Sequence, residues 1–165
     1  MGAIVKKYLW ILLLPVFLIA SAISAIAASH PLQLKTQGFL VVTELENGKK
    51  REVLKPLPEK VYPKDIIEYR ITVKNVSKGV LKNVEIKAQI PKSTVYVEHS
   101  AVGNPLFSID GGKTFYPEPV KYKVIENGKE VEKVATPDMY TNVMWKIPQL
   151  LPNTSKVLKY RVQVK

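Results

Sequence analysis

Residues 62–91 read YPKDIIEYRITVKNVSKGVLKNVEIKAQIP, and the alternation inside them decides the fold. In the first half, Ile67, Tyr69, Ile71 and Val73 fall on one side of an extended chain, and Glu68, Arg70, Thr72 and Lys74 fall on the other. In the second half, Val84, Ile86, Ala88 and Ile90 alternate with Glu85, Lys87 and Gln89. Successive side chains of a strand point to opposite faces, so a period of two in β-branched and aromatic residues predicts a half-buried strand. Asn75-Val76-Ser77-Lys78-Gly79 separates the runs with turn formers, and Pro91 closes the second. The stretch is expected to be a central antiparallel hairpin with one apolar face, the unit of a β-sandwich. It is a scaffold and carries no reactive group.

The same grammar continues on both sides. Residues 38–45 (GFLVVTEL) predict a strand, Glu46-Asn47-Gly48 an Asn-Gly hairpin turn, and residues 49–55 the return. Residues 29–37 have no strong pattern and are expected to be a flexible or edge segment. Pro56, Pro58 and Pro63 stiffen the connection into the central stretch. Downstream, residues 94–98 and 106–109 are short strand candidates. Val120, Tyr122 and Val124 alternate into a second Asn-Gly turn at Asn127-Gly128, with residues 130–134 returning. Val143, Trp145 and Ile147 mark another strand before Pro148. Leu158, Tyr160, Val162 and Val164 mark the last one. Nothing after residue 27 has helical periodicity, so about 7–9 strands in an all-β antiparallel sandwich are expected.

The N-terminus has a different grammar. Lys6 and Lys7 precede the apolar residues 8–20 (YLWILLLPVFLIA), and small residues lead to Ala25-Ile26-Ala27. This is the pattern of a signal peptide over residues 1–27, with cleavage expected before Ala28 and a second candidate cut after Ala22. An uncleaved membrane anchor is the competing reading, since residues 8–28 carry no charge. Either way, residues 28–165 are expected outside the cytoplasm as one domain: periplasmic, on the cell surface or secreted. The chain has no cysteine, so neither disulfides nor a lipid-modified cysteine can hold it. The formal charge is +11, and removing Lys6 and Lys7 leaves +9. That surplus favours anionic polymers or membrane surfaces. The plainer reading is lysines lining solvent faces and discouraging edge-to-edge association.

The order of pieces resembles a prokaryotic family, the domain of unknown function eleven, a repeat of bacterial and archaeal surface proteins. The residues that carry the resemblance are Pro63 and Asp65, then Tyr69-Arg70-Ile71-Thr72-Val73-Lys74-Asn75, Asn83-Val84-Glu85-Ile86 and Pro91. Leu150 to Pro152, ahead of the last strand, complete it. Lys64 and Asn153 stand where that family usually has turn glycines, and Ala88 where it often has aspartate. Asn tolerates a left-handed conformation, and Lys64 is expected to fit a type I turn. The resemblance implies an immunoglobulin-like sandwich on a surface or periplasmic protein.

Candidate sites are few. Ser108, Asp110, Gly112 and Phe115 fit an Asp-box, S-x-D-x-G-x-T-F, in which the aspartate accepts turn N–H groups and the aromatic packs beneath. As one copy in a short chain it is expected to be a structural turn. Tyr62, Tyr69, Tyr122, Tyr160, Phe107, Phe115 and Trp145 are the aromatics expected in the core. Tyr96, Tyr116 and Tyr140, in or near loops, are candidates for a sugar-stacking platform. His30 and His99 are the two histidines, and no nucleophile, metal-ligand spacing or phosphate loop accompanies them. Glu44 with Glu46 and Glu130 with Glu132 are expected to be solvated strand ends. Asn75-Val76-Ser77 and Asn153-Thr154-Ser155 match the glycosylation acceptor pattern. No catalytic, cofactor or metal residue is expected.

The expected function is a non-catalytic module of the cell envelope, for structure or protein–protein contact, with no nucleic-acid partner. A membrane partner is expected only through an uncleaved N-terminal segment. Two alternatives are a module binding carbohydrate or an anionic polysaccharide, and a self-assembling surface subunit whose open sheet edge accepts a neighbour's strand, with residues 39–42 as donor or edge.

Overall fold

The computed structural model describes residues 30–165; the expected signal peptide lies outside them. The regular structure of the described chain is strand, with no α-helix: β1 (Leu32–Glu46), β2 (Lys49–Pro56), β3 (Ile66–Asn75), β4 (Leu81–Gln89), β5 (Thr94–Tyr96), β6 (Leu106–Ser108), β7 (Tyr116–Pro117), β8 (Lys121–Glu126), β9 (Lys129–Val134), β10 (Asn142–Leu150) and β11 (Ser155–Val164). A single 3-10 turn, Pro137–Met139, interrupts them. Two antiparallel sheets face each other, ordered β2-β1-β3-β11-β5 and β4-β10-β6-β7, while β8 and β9 form a two-stranded sheet of their own.

The alternation in residues 62–91 places side chains as expected but not strands. β3 and β4 are not a hairpin: β3 sits in the centre of the five-stranded sheet, and β4 is an edge of the other. The chain crosses between sheets at residues 76–80, and both strands turn their apolar side inward. Alternation reports which face is buried, and a strand facing the core from either sheet has the same pattern.

The core lies where these inner faces meet. Ile67, Ile71, Val73, Leu158, Tyr160 and Val162 come from the five-stranded sheet, and Val84, Ile86, Phe107, Val143, Trp145 and Ile147 from the four-stranded one. Trp145 is fully buried, with Nε1 donating to the carbonyl of Val102 at 2.8 Å. Tyr160 Oη crosses the core to the Gln89 carbonyl at 3.1 Å, and burial pushes its phenol far up. Tyr62 departs from expectation at 67% exposure, whereas Tyr122 and Phe115 are half-buried.

Residues 32–37, expected to be a flexible or edge segment, are the edge: they belong to β1, whose pairing with β3 runs from Leu32↔Asn75 to Val41↔Ile66, while its pairing with β2 starts only at Phe39. β1 then pairs with β2 up to the Asn47-Gly48 turn. Both Asn-Gly turns have positive φ at both positions (Asn47 52° and Gly48 74°, Asn127 51° and Gly128 76°), the twist that a two-residue hairpin needs. Their acidic residues are ion-paired across the strands: Glu44 to Lys55 at 2.7 Å, Glu46 to Arg51 at 2.8 Å, Glu130 to Lys123 at 2.6 Å and Glu132 to Lys121 at 2.9 Å. Lys64 adopts φ 76°, so Tyr62-Pro63-Lys64-Asp65 is not the expected type I turn. The Asp65 N–H bonds to the Tyr62 carbonyl at 3.0 Å, and a positive φ at the third position marks a type II turn.

Candidate interaction surfaces

The Asp-box residues build a closed turn after β6. Ser108, with no exposed surface, donates through Oγ to Asp110 Oδ1 at 2.6 Å and accepts the Gly112 N–H at 2.8 Å. Asp110 accepts the N–H groups of Lys113 and Thr114, each at 3.0 Å, and the Thr114 hydroxyl at 2.6 Å. Hydrogen bonds from Ser108 and then Thr114 hold the Asp110 carboxyl well below the usual range. Gly112 has φ 87°, and a Cβ there would meet Asn142 at 3.3 Å. Phe115 is the last residue of the motif. Its ring is half-buried with Lys87 Nζ 5.2 Å from the centroid, and Lys87 points away from the core beside Met144. Both carboxylate oxygens of Asp110 accept hydrogen bonds from its own turn.

The three tyrosines of the expected platform do not meet at the surface. Tyr96 and Tyr140 are core residues, 2% and 5% exposed, stacked at 5.6 Å, and Phe107 lies 4.6 and 5.0 Å from them to complete a triangle of rings. Tyr140 Oη accepts the Val120 N–H at 3.2 Å, and burial pushes the Tyr96 phenol up to about 12. Only Tyr116 is exposed. Tyr96 ends β5 and Tyr140 follows the 3-10 turn, and their meeting across 44 positions of chain has no local signature.

His99 is exposed, with Nδ1 3.6 Å from Glu118, while Ser100 bonds to the Arg161 backbone. The two do not form a base–nucleophile pair. His30 is exposed at the start of the described chain. No group of three or more His, Cys, Asp or Glu that could hold a metal occurs among the described residues. Asn75 is fully buried with its amide hydrogen-bonded, so in the folded domain it cannot accept a glycan. Residues 39–42 are paired to β2, and 39–41 also to β3, so they are not free to donate a strand.

Two surfaces stand out instead. The first is an edge groove. Among the described residues β4 pairs only with β10, which leaves its other edge without a strand there. The five-stranded sheet continues past it through β1, which forms a shelf. Leu34 pairs with fully buried Val73 and points to the same inner side, yet it is 55% exposed because no strand of the second sheet lies over it. Leu34, Thr36, Tyr69, Ile86, Ala88 and Tyr160 line a groove of about 320 Å³.

The second is a charged cluster on the opposite face of the larger sheet. Glu68 was expected at a solvent-facing position, but it is 1% exposed. It accepts Arg70 Nε at 2.8 Å and Arg161 Nε at 2.9 Å, and Arg161 Nη1 reaches Glu52 at 2.8 Å. Burial pushes the Glu68 carboxyl up, but the bonds from Arg70 and Arg161 outweigh it and the net shift is downward.

No protein-family model matches the chain, and no curated protein and no solved structure is significantly similar to it.

Proposed function

We propose that this chain is an exported, non-catalytic module of the cell envelope that works by protein–protein contact. In this reading, an extended segment of a partner chain adds to the free edge of β4 and lies on the β1 shelf. The observation that carries it is the pairing of a bare strand edge with an apolar shelf whose Leu34 is half exposed. Main-chain hydrogen bonds to β4 would supply affinity, and alternate apolar side chains of the added strand would fill the groove. An unprotected edge is an aggregation liability, and here Lys87 and Lys82 along β4 restrain it without closing it.

Export is supported by Lys6 and Lys7, the apolar residues 8–20 and Ala25-Ile26-Ala27. Periplasm, cell surface or medium would each suit such a module. A kinship to the surface-protein repeats of the domain of unknown function eleven, and with it an immunoglobulin-like topology, is part of the same proposal. It is supported by Asn75, which ends the Y-x-I-x-V-x-N run and ties the crossing between sheets, and by Lys64, which takes a glycine-like φ where the family has glycine.

The test is a photo-crosslinking residue placed at position 34 or 36, with position 125 on the projecting β8–β9 hairpin as control. Protein crosslinks from 34 and 36 but not from 125 are expected. None from the shelf would sink the reading. Sedimentation then distinguishes a second copy from a different partner.

A further inference from the structure

The outer face of the five-stranded sheet is a distinct surface, on the side away from the edge groove. Pairing registers put Phe39, Glu68 and Arg161 in one row across β1, β3 and β11, and Gln37, Arg70 and Lys159 in the next. Lys35, Thr72 and Val157 follow, then Gln33, Lys74 and Ser155. Successive rows lie about 7 Å apart along the strands, so the four span roughly 20 Å. Five cations occupy them, and the carboxylates near them are Glu68 and Glu52, both already bound by guanidinium groups. Lys35, Lys74 and Lys159 have no carboxylate within ion-pair reach among the described residues. Arg70 and Lys159 are direct cross-strand partners, and like charges in that position repel.

Arg70 is the organised element of this face. Its Nε is fixed to buried Glu68, and its guanidinium carbon lies 5.2 Å from the centre of the Phe39 ring. Its terminal Nη atoms make no hydrogen bond to any described residue. The fork is therefore held in place with its outer donors unused, so little ordering entropy is lost when an anion binds.

We propose that this face binds a carboxylate-bearing polysaccharide, with the Arg70 fork taking one carboxylate and Lys159, Lys35 and Lys74 neutralising the next ones along the chain. The planar fork matches a planar carboxylate in a way an ammonium does not. The rows of a sheet suit an extended polymer. A membrane fits less well, since Val157 is the sole large apolar side chain exposed on these rows. This proposal does not depend on the β4 edge, and either can fail alone.

The test is calorimetric titration of the protein with polygalacturonate, neutral dextran and phosphatidylglycerol vesicles at low salt. Binding is expected to polygalacturonate alone and to vanish at about 0.5 M salt. Lys35→Gln/Lys74→Gln/Lys159→Gln spares the Glu68 clamp and should weaken binding by about tenfold or more. Lys121→Gln/Lys123→Gln/Lys129→Gln removes the same charge from the β8–β9 hairpin and should leave binding unchanged. Arg70→Lys keeps the charge and loses the fork, and should bind several-fold more weakly with the protein still folded by circular dichroism. No binding of polygalacturonate, equal loss in the hairpin variant, or binding of vesicles in its place would overturn the proposal.

Discussion

The side-chain amide of Asn75 donates to the carbonyl of Leu150, 3.0 Å away and 75 positions along the chain. The same Nδ2 bonds to the Gly79 carbonyl at 2.8 Å, and Oδ1 accepts the N–H and hydroxyl of Ser77 at 2.9 and 2.7 Å. Asn75 ends β3 in one sheet, Leu150 ends β10 in the other, and Gly79 lies on the crossing between them. One buried amide therefore ties two of the places where the chain changes sheets, from β3 to β4 and from β10 to β11.

Asn75→Ala leaves two backbone carbonyls short of a donor at a buried site. A loss of about 2–3 kcal/mol in chemical denaturation is expected. Asn75→Asp should be no better, because an ionised carboxylate can donate to neither carbonyl. Unchanged stability in both variants would contradict this role.

Glu68 and Arg161 are held together from β3 and β11, with 93 residues between them. Glu68→Gln should cost about 2–3 kcal/mol, less than a fully buried pair because both arginines keep some solvent. The folded carboxyl lies below its ordinary value of 4.5. Its contribution is therefore complete above the unfolded value and is lost as pH falls through the folded one. The stability difference between wild type and Glu68→Gln should be constant near neutral pH and shrink below about pH 4.

Lys64 stands at φ 76° with its backbone N–H bonded to the Val164 carbonyl at 2.9 Å. Lys64→Gly removes left-handed strain, offset in part by a freer unfolded chain. A net gain of about 0.5–1 kcal/mol is expected from thermal or urea unfolding. A loss would mean the lysine side chain contributes contacts that outweigh its backbone.

Asp110→Asn keeps the shape of the turn and weakens the bonds to Lys113 and Thr114. The melting temperature should fall and those two amides should exchange faster, with polysaccharide binding unaffected. The carboxyl is depressed, so the turn's contribution is present at neutral pH and lost in acid.

These residues also mark what was legible beforehand. Period-two alternation identified the inner faces of β3, β4, β10 and β11, because burial of a face is written locally. It could not assign β3 and β4 to different sheets, since a five-residue link suits either a hairpin or a crossing; the choice rests on Asn75 meeting Leu150. Tyr96 and Tyr140 sit beside loops in the sequence, but both rings turn inward onto Phe107. Glu68 has the parity of a solvent-facing residue, and its buried charge is held by Arg70, two positions away, and by Arg161 from β11, a partner that no local pattern shows. Residues 32–37 carry only two large apolar side chains, Leu32 and Leu34, so their sequence leaves a flexible or an edge segment open, and pairing with β3 makes them the edge.

The β4 edge is tested most directly by selecting linear peptides of about nine residues, the length of β4, on the immobilised protein and mapping amide exchange with the selected peptide bound. Peptides with alternate apolar residues, protection concentrated in residues 81–89, and loss of binding in Leu34→Asp/Thr36→Asp are expected. No selected peptide, or protection that falls elsewhere on the domain, would contradict it.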